Sequence, residues 1–305
     1  MMLLKDNFLR GSYPPLITPF RKGLVDYDAF SRLVERQIRE GSDGIVVAGT
    51  TGEPSSLTIS ERKELLQTAV KAANGRIPVV AATGSQSLED TAELTQHAEK
   101  SGADAVLVVT PYYSRPPQQG LVEYFTSIGG ITALPLLIYH IPARAAVTIT
   151  AATVAKIADR VPNLAGMKHA STDLEIITDL LVELGGNFRI FCGLEALSLP
   201  MLAVGASGVM NAAGNLDPAR VRALCAAVLN GDLAAARRLH FELFQLNKAI
   251  FLDTNPIPLK YMMWRLGLLG SNEVRLPLVA ISDSERQATL DDVLKNAGLL
   301  ESVRR

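Results

Sequence analysis

Two kinds of hydrophobic pattern take turns along this chain. Short apolar runs rich in Val and Ile are each followed by a longer stretch in which apolar residues recur every three to four positions. The runs predict strands at Tyr13–Pro19, Gly44–Ala48, Ile77–Ala81, Ala105–Val109, Pro135–Tyr139, Leu164–Lys168, Arg189–Cys192 and Gly208–Asn211. The periodic stretches predict helices at Asp26–Glu40, Ser60–Ala73, Leu88–Ser101, Gln119–Ile128, Ala151–Ala158, Asp173–Leu184, Ala196–Val204 and Pro218–Leu229, with Ser60 as the N-cap of the second.

Strands that alternate with helices pair in parallel through right-handed crossovers. These strands are apolar throughout, as strands buried on both faces are. Eight such units fit a closed (β/α)₈ barrel better than an open sheet. After Asn230 the strands stop, and Asp232–Ile250, Pro256–Leu266 and Asp283–Ala297 read as helices. The expectation is an α/β protein: a TIM barrel over residues 1–230 and a C-terminal helical extension over 231–305.

Composition narrows the function classes. Thirty basic residues stand against 31 acidic ones, a net charge of −1, with the signs interspersed. A nucleic-acid partner would call for a basic excess, and none is present. Two cysteines, Cys192 and Cys225, make neither a disulfide framework nor a CxxC metal site and read as buried thiols. No apolar run approaches the ~20 residues of a membrane helix, and MMLLKDNFLR does not read as a signal peptide. A soluble cytoplasmic protein is expected.

In a barrel of this kind, chemistry belongs at the C-terminal strand ends. The sixth strand closes on Lys168, where burial would favour a neutral amine able to condense with a ketone; an ion pair at the barrel rim is the competing reading. The fifth ends on Tyr139 with Arg144 beyond it. These are a proton-relay phenol and a carboxylate fork, or simply a packed tyrosine and a surface arginine. Gly49-Thr50-Thr51-Gly52-Glu53 ends the second strand and suits a carboxylate cradle. Thr110-Pro111-Tyr112-Tyr113 ends the fourth. His140 and His169 each follow a strand-end residue, so they should face away from the axis. With no HxxxH pair, no metal is expected.

Together, GTTGE at 49–53, TPYY at 110–113, Tyr139–Arg144, GMK ending at Lys168 and NPIPLK at 255–260 resemble the dihydrodipicolinate synthase / N-acetylneuraminate lyase family over nearly the whole chain. The resemblance implies that Lys168 forms an imine with pyruvate, with no cofactor. Tyr139 would relay protons through Thr51 to Tyr113, the last reaching into a partner's site across a tight dimer, itself half of a dimer of dimers. Thr50 and Thr51, with Gly193 and Met210, would bind the 2-oxo acid, and Arg144 the carboxylate of the aldehyde partner. It implies synthase chemistry with pyruvate and aspartate semialdehyde. The alternatives are a 2,4-dihydroxyhept-2-ene-1,7-dioate aldolase that releases pyruvate and succinic semialdehyde, and a non-catalytic binding or regulatory relative. Ala145, His169 and Leu194 depart from the usual synthase pattern. Ile59, Gln86 and Asp90 stand where lysine-inhibited members carry histidine, asparagine and glutamate, and Arg62 adds a positive charge nearby, so weak lysine binding is implied.

Overall fold

The structure, a computed structural model, describes residues 2–300. The strands are β1 (Gly11–Ser12), β2 (Ile45–Val47), β3 (Val79–Ala82), β4 (Ala105–Val109), β5 (Leu136–His140), β6 (Leu164–His169), β7 (Arg189–Cys192) and β8 (Gly208–Val209). They form one parallel sheet in the order β1-β8-β7-β6-β5-β4-β3-β2. A bridge between Pro15 and Val46 brings its two edges together. Leu16 N donates to Val46 O at 2.9 Å and Val46 N to Pro14 O at 3.0 Å. The eight-stranded parallel barrel read from the sequence is therefore present.

Helices α1 (Tyr27–Arg39), α2 (Ile59–Ala73), α3 (Leu88–Lys100), α4 (Gln118–Gly129), α5 (Ala151–Arg160), α6 (Glu175–Leu184), α7 (Ser198–Ala203) and α8 (Pro218–Leu229) follow the strands in turn. Three more, α9 (Leu233–Ala249), α10 (Ile257–Arg265) and α11 (Ser284–Asn296), come after the barrel, with α9 packed along α8.

Local readings change at the start of the chain. The first strand pairs regularly at Gly11–Ser12 rather than from Tyr13, because Pro14 and Pro15 have no N–H to give to a ladder. Helix α2 begins at Ile59, not Ser60: the Thr58 hydroxyl accepts from Glu61 N at 3.2 Å and the Glu61 carboxylate accepts from Thr58 N at 2.9 Å, a closed capping box. A hairpin of Phe20–Arg21 against Leu24–Val25 went unread; Lys22 and Gly23 both take positive φ at its two-residue turn.

Side chains sort into two apolar layers. Tyr13, Val46, Leu107, Leu137, Tyr139, Phe191 and Met210 share the cluster inside the barrel. Their neighbours in sequence, such as Ile45, Val47, Leu136, Ile138 and Cys192, face the helices. Between β5 and β6 the register slips: Leu136 pairs with Leu164, but Leu137 pairs with Gly166, so Ala165 is an inserted residue. From there on Tyr139 lies opposite Lys168. Gly166 is required at this point, since a Cβ would stand 2.0 Å from Arg189 O.

Candidate active site

Register puts Tyr139 and Lys168 side by side on adjacent strands, both directed into the barrel mouth. Lys168 is 3% exposed, and its Nζ lies 4.3 Å from the centroid of the Tyr139 ring. Among the described residues it makes no ion pair, so the rim ion-pair reading does not hold. The ring face of Tyr139 is its close cation–π partner. Gly193 leaves room for this side chain: a Cβ there would come within 3.0 Å of Lys168 Cε and 2.9 Å of Ala170 Cβ. Met210 is buried in the same inner cluster as Tyr139.

The hydroxyl contact of Tyr139 falls on a different threonine from the one the resemblance implies. Thr50 Oγ1, not that of Thr51, lies 3.2 Å from Tyr139 OH. Thr51 is buried and its Oγ1 accepts from Asn255 Nδ2 at 3.0 Å. The two threonines belong to a single 3₁₀ turn, Thr50–Gly52, in which successive side chains diverge by about 120°, so only one can face the phenol. Tyr113 is 90% exposed with φ of +72° and does not line the cavity of its own chain. Within one chain the hydroxyl that meets Tyr139 is therefore that of Thr50, and Thr51 turns instead to Asn255.

A cavity of about 340 Å³ opens over this point, walled in part by Thr50, Tyr139, Arg144, Arg62, Tyr112 and Asn255. Lys168 lies off its wall, covered by the phenol ring. Arg144 sits in a one-turn helix, Pro142–Ala145, which the sequence reading left out; it is exposed and free of ion pairs among the described residues.

Supporting groups also escaped the sequence reading. Glu53, left-handed at φ +56°, forms a buried ion pair with Lys260 of α10. Lys260 Nζ also donates to Glu273 O at 2.7 Å and lies 4.0 Å over the Phe20 ring. Burial pulls this lysine down to about 8, against the pull of the Glu53 carboxylate. Arg275 N donates to Glu53 Oε2 at 3.2 Å, and its guanidinium pairs with Glu61 at 2.6 Å. The turn carrying Thr50 is thereby clasped to the C-terminal helices. The NPIPLK motif marked this region, but spacing alone gave Asn255 and Lys260 no partners.

Behind Tyr139 and Lys168, on the outer face as expected, His140 and His169 meet Nδ1 to Nδ1 at 3.1 Å. His169 Nε2 donates to Asp173 O at 2.8 Å, so its Nδ1 accepts from His140 Nδ1–H. That leaves His140 Nε2 buried without a partner. Burial lowers both imidazoles, His140 to about 4. Glu195 is also buried; Ala212 N donates to its Oε1 at 2.6 Å, and burial raises its carboxyl above the ordinary range. Cys192, pushed up to about 12 by burial, remains a thiol.

This fold and strand-end chemistry agree with what sequence comparison finds. The chain belongs to the dihydrodipicolinate synthetase family, whose model matches residues 8–297, and it is a lyase of that family. A 4-hydroxy-tetrahydrodipicolinate synthase of Thermus thermophilus is 48% identical over 88% of this chain and 90% of its own length. The crystal structure of dihydrodipicolinate synthase from Aquifex aeolicus superposes with a TM-score of 0.93 at 41% identity, covering 96% of this chain and all of that one. A chloride-inhibited dihydrodipicolinate synthase from Acinetobacter baumannii, complexed with pyruvate, gives 0.92 at 33% identity over 96% of this chain and all of that one. These relatives carry the synthase name, and the dihydroxyheptenedioate aldolase alternative is not favoured.

Proposed function

We propose that this protein condenses pyruvate with aspartate semialdehyde through an imine on Lys168. The amine of Lys168 adds to the keto carbon of pyruvate, and Tyr139 with Thr50 passes protons as the carbinolamine forms and loses water. Loss of a methyl proton gives an enamine, which attacks the aldehyde carbon of the second substrate. The amino group of that substrate then adds to the imine carbon and expels Lys168, closing the ring. Arg144 holds the carboxylate of the incoming aldehyde at the cavity mouth. No cofactor or metal enters these steps.

The observation that supports the reading most is a lysine without a counter-ion, buried against a tyrosine whose hydroxyl reaches a threonine. The relatives' names support the choice of aldehyde. A non-catalytic relative would have no use for this set. We also propose that the protein acts as a homo-oligomer, a dimer of tight dimers, in the cytoplasm. A large aromatic held 90% exposed on left-handed backbone, Tyr113, suits insertion into a neighbouring site. No described helix is long and apolar enough to cross a membrane.

Borohydride in the presence of pyruvate is expected to add a reduced adduct to the peptide carrying Lys168. A coupled assay then offers aspartate semialdehyde and succinic semialdehyde side by side. Turnover confined to the second aldehyde would overturn the choice of substrate, and an adduct elsewhere would overturn the mechanism.

A further inference from the structure

Adjacent threonines of one 3₁₀ turn compete for the Tyr139 phenol, and something outside the turn has to choose between them. The turn's own bonds, Gly52 N to Gly49 O at 2.8 Å and Glu53 N to Thr50 O at 3.1 Å, shape it without fixing its rotation. Three contacts from elsewhere in the chain bear on that rotation. Thr18 Oγ1 donates to Gly52 O at 2.7 Å, Asn255 Nδ2 donates to Thr51 Oγ1 at 3.0 Å, and the Glu53 carboxylate pairs with Lys260. Lys260 is fully buried, and its Nζ is held in turn by Glu273 O and the Phe20 ring. Glu53 keeps a left-handed backbone, which a residue with a Cβ adopts only where its surroundings hold it. A buried ion pair contributes little stability that a matched apolar pair would not, but it does fix direction. Lys260 lies off the cavity wall, so whatever it does for the reaction passes through Glu53, which is on that wall.

We propose that Lys260 is a positioning residue for the imine chemistry: through the Glu53 carboxylate it sets the rotation of the Thr50–Gly52 turn, so that Thr50 meets the phenol and Thr51 turns to Asn255. Its part in turnover rests on the imine reading given above. Its effect on the contact between Tyr139 and Thr50 does not.

The phenol itself reports the outcome. Tyrosine isotopically labelled at Cζ gives one magnetic resonance signal per ring, and Tyr139→Phe identifies that of Tyr139. Thr50→Val, which deletes the hydroxyl, shows where the signal lies once the contact is lost. Lys260→Met strands the Glu53 carboxylate, so a lower melting point is expected with it. Glu53→Gln/Lys260→Met carries no buried charge, leaves an oxygen for Arg275 N, and is expected to melt closer to the unaltered protein. In both, the Tyr139 signal is expected to move to the Thr50→Val position, and borohydride trapping of pyruvate on Lys168 is expected to slow about tenfold or more. Adding Thr50→Val to the double variant is expected to slow trapping no further, since both changes remove one contact. Circular dichroism checks the fold, and if Lys260→Met does not fold, the double variant decides. A double variant that folds and keeps the Tyr139 signal or the trapping rate of the unaltered protein would overturn the proposal. So would fully additive slowing in the triple variant, because Lys260 and Thr50 would then act separately. Failure of the unaltered protein to form any adduct would overturn the imine reading alone, and the Tyr139 signal would still decide the role of Lys260.

Discussion

The His140–His169 pair predicts a contribution to acid lability that can be traced to one side chain. An unfolded histidine titrates near 6.5, whereas His140 in the fold is lowered to about 4 by burial, by its neighbour His169 and against the pull of Asp173. Between those values the unfolded chain binds a proton that the folded chain refuses. Stability is therefore complete above about pH 6.5 and falls as pH drops towards 4. The difference in pKa corresponds to about 3 kcal/mol. The unpartnered Nε2 compounds that burial: a proton added there points a new donor at a site with no acceptor. For a chain of this size, that loss lowers Tm by about 5 °C. Carboxylates add their own acid dependence, so the informative quantity is a difference. The wild type and His140→Asn, whose amide can still donate to His169 Nδ1, are melted at several values between pH 4 and 7. The separation in Tm is expected to change across that range by several degrees, in the variant's favour at low pH. A separation that stays constant with pH would refute the argument, because it would mean that His140 takes up its proton equally in both states.

Four further outcomes follow from the site. Arg144→Ala is expected to lower kcat/KM for the semialdehyde by one to two powers of ten, the weight of a charge-assisted fork, while the borohydride adduct with pyruvate still forms; equal loss of the adduct would place Arg144 elsewhere in the reaction. Gly193→Ala pushes a methyl group against Lys168 Cε and Ala170 Cβ, so adduct formation is expected to slow at least tenfold, with about 1–3 kcal/mol lost from stability by overpacking; stopped-flow trapping and a denaturant melt measure the two. Tyr113→Phe is expected to slow turnover without changing the assembly seen by light scattering; a fully active monomer would contradict its role between subunits. L-lysine is expected to show no saturable inhibition below a millimolar, since Ile59 offers no hydrogen bond and Arg62 repels a cation; a calorimetric titration decides.

The barrel was legible because its signal is distributed: eight apolar runs and their helices must all agree, and an error of a residue or two at any end leaves the topology intact. The site was legible where position along a strand decides direction. Alternation alone turned Tyr139 inward and His140 outward, and both readings hold. It failed where a tight turn decides. Thr50 and Thr51 are adjacent, chemically alike and outside the period of either regular structure, so nothing in the order of letters says which one meets the phenol. The N-cap of α2 was readable and misread: Glu61 three residues after Thr58 completes a capping box that Ser60 cannot. The contacts of Lys260 with Glu53 and of Asn255 with Thr51 join segments far apart in sequence, and only the folded chain brings them together.

The clasp between Glu53 and Lys260 bears on how the protein comes into being. Its two halves are separated by most of the chain, and the ribosome delivers the first long before the second. Until the segment around Lys260 has emerged, the Glu53 carboxylate faces water, and the turn bearing Thr50 lacks the anchor that directs it. A nascent barrel can thus have every strand in place and still be inert. Catalytic competence arrives with the last helices, which makes the tail the step that commits the enzyme to function.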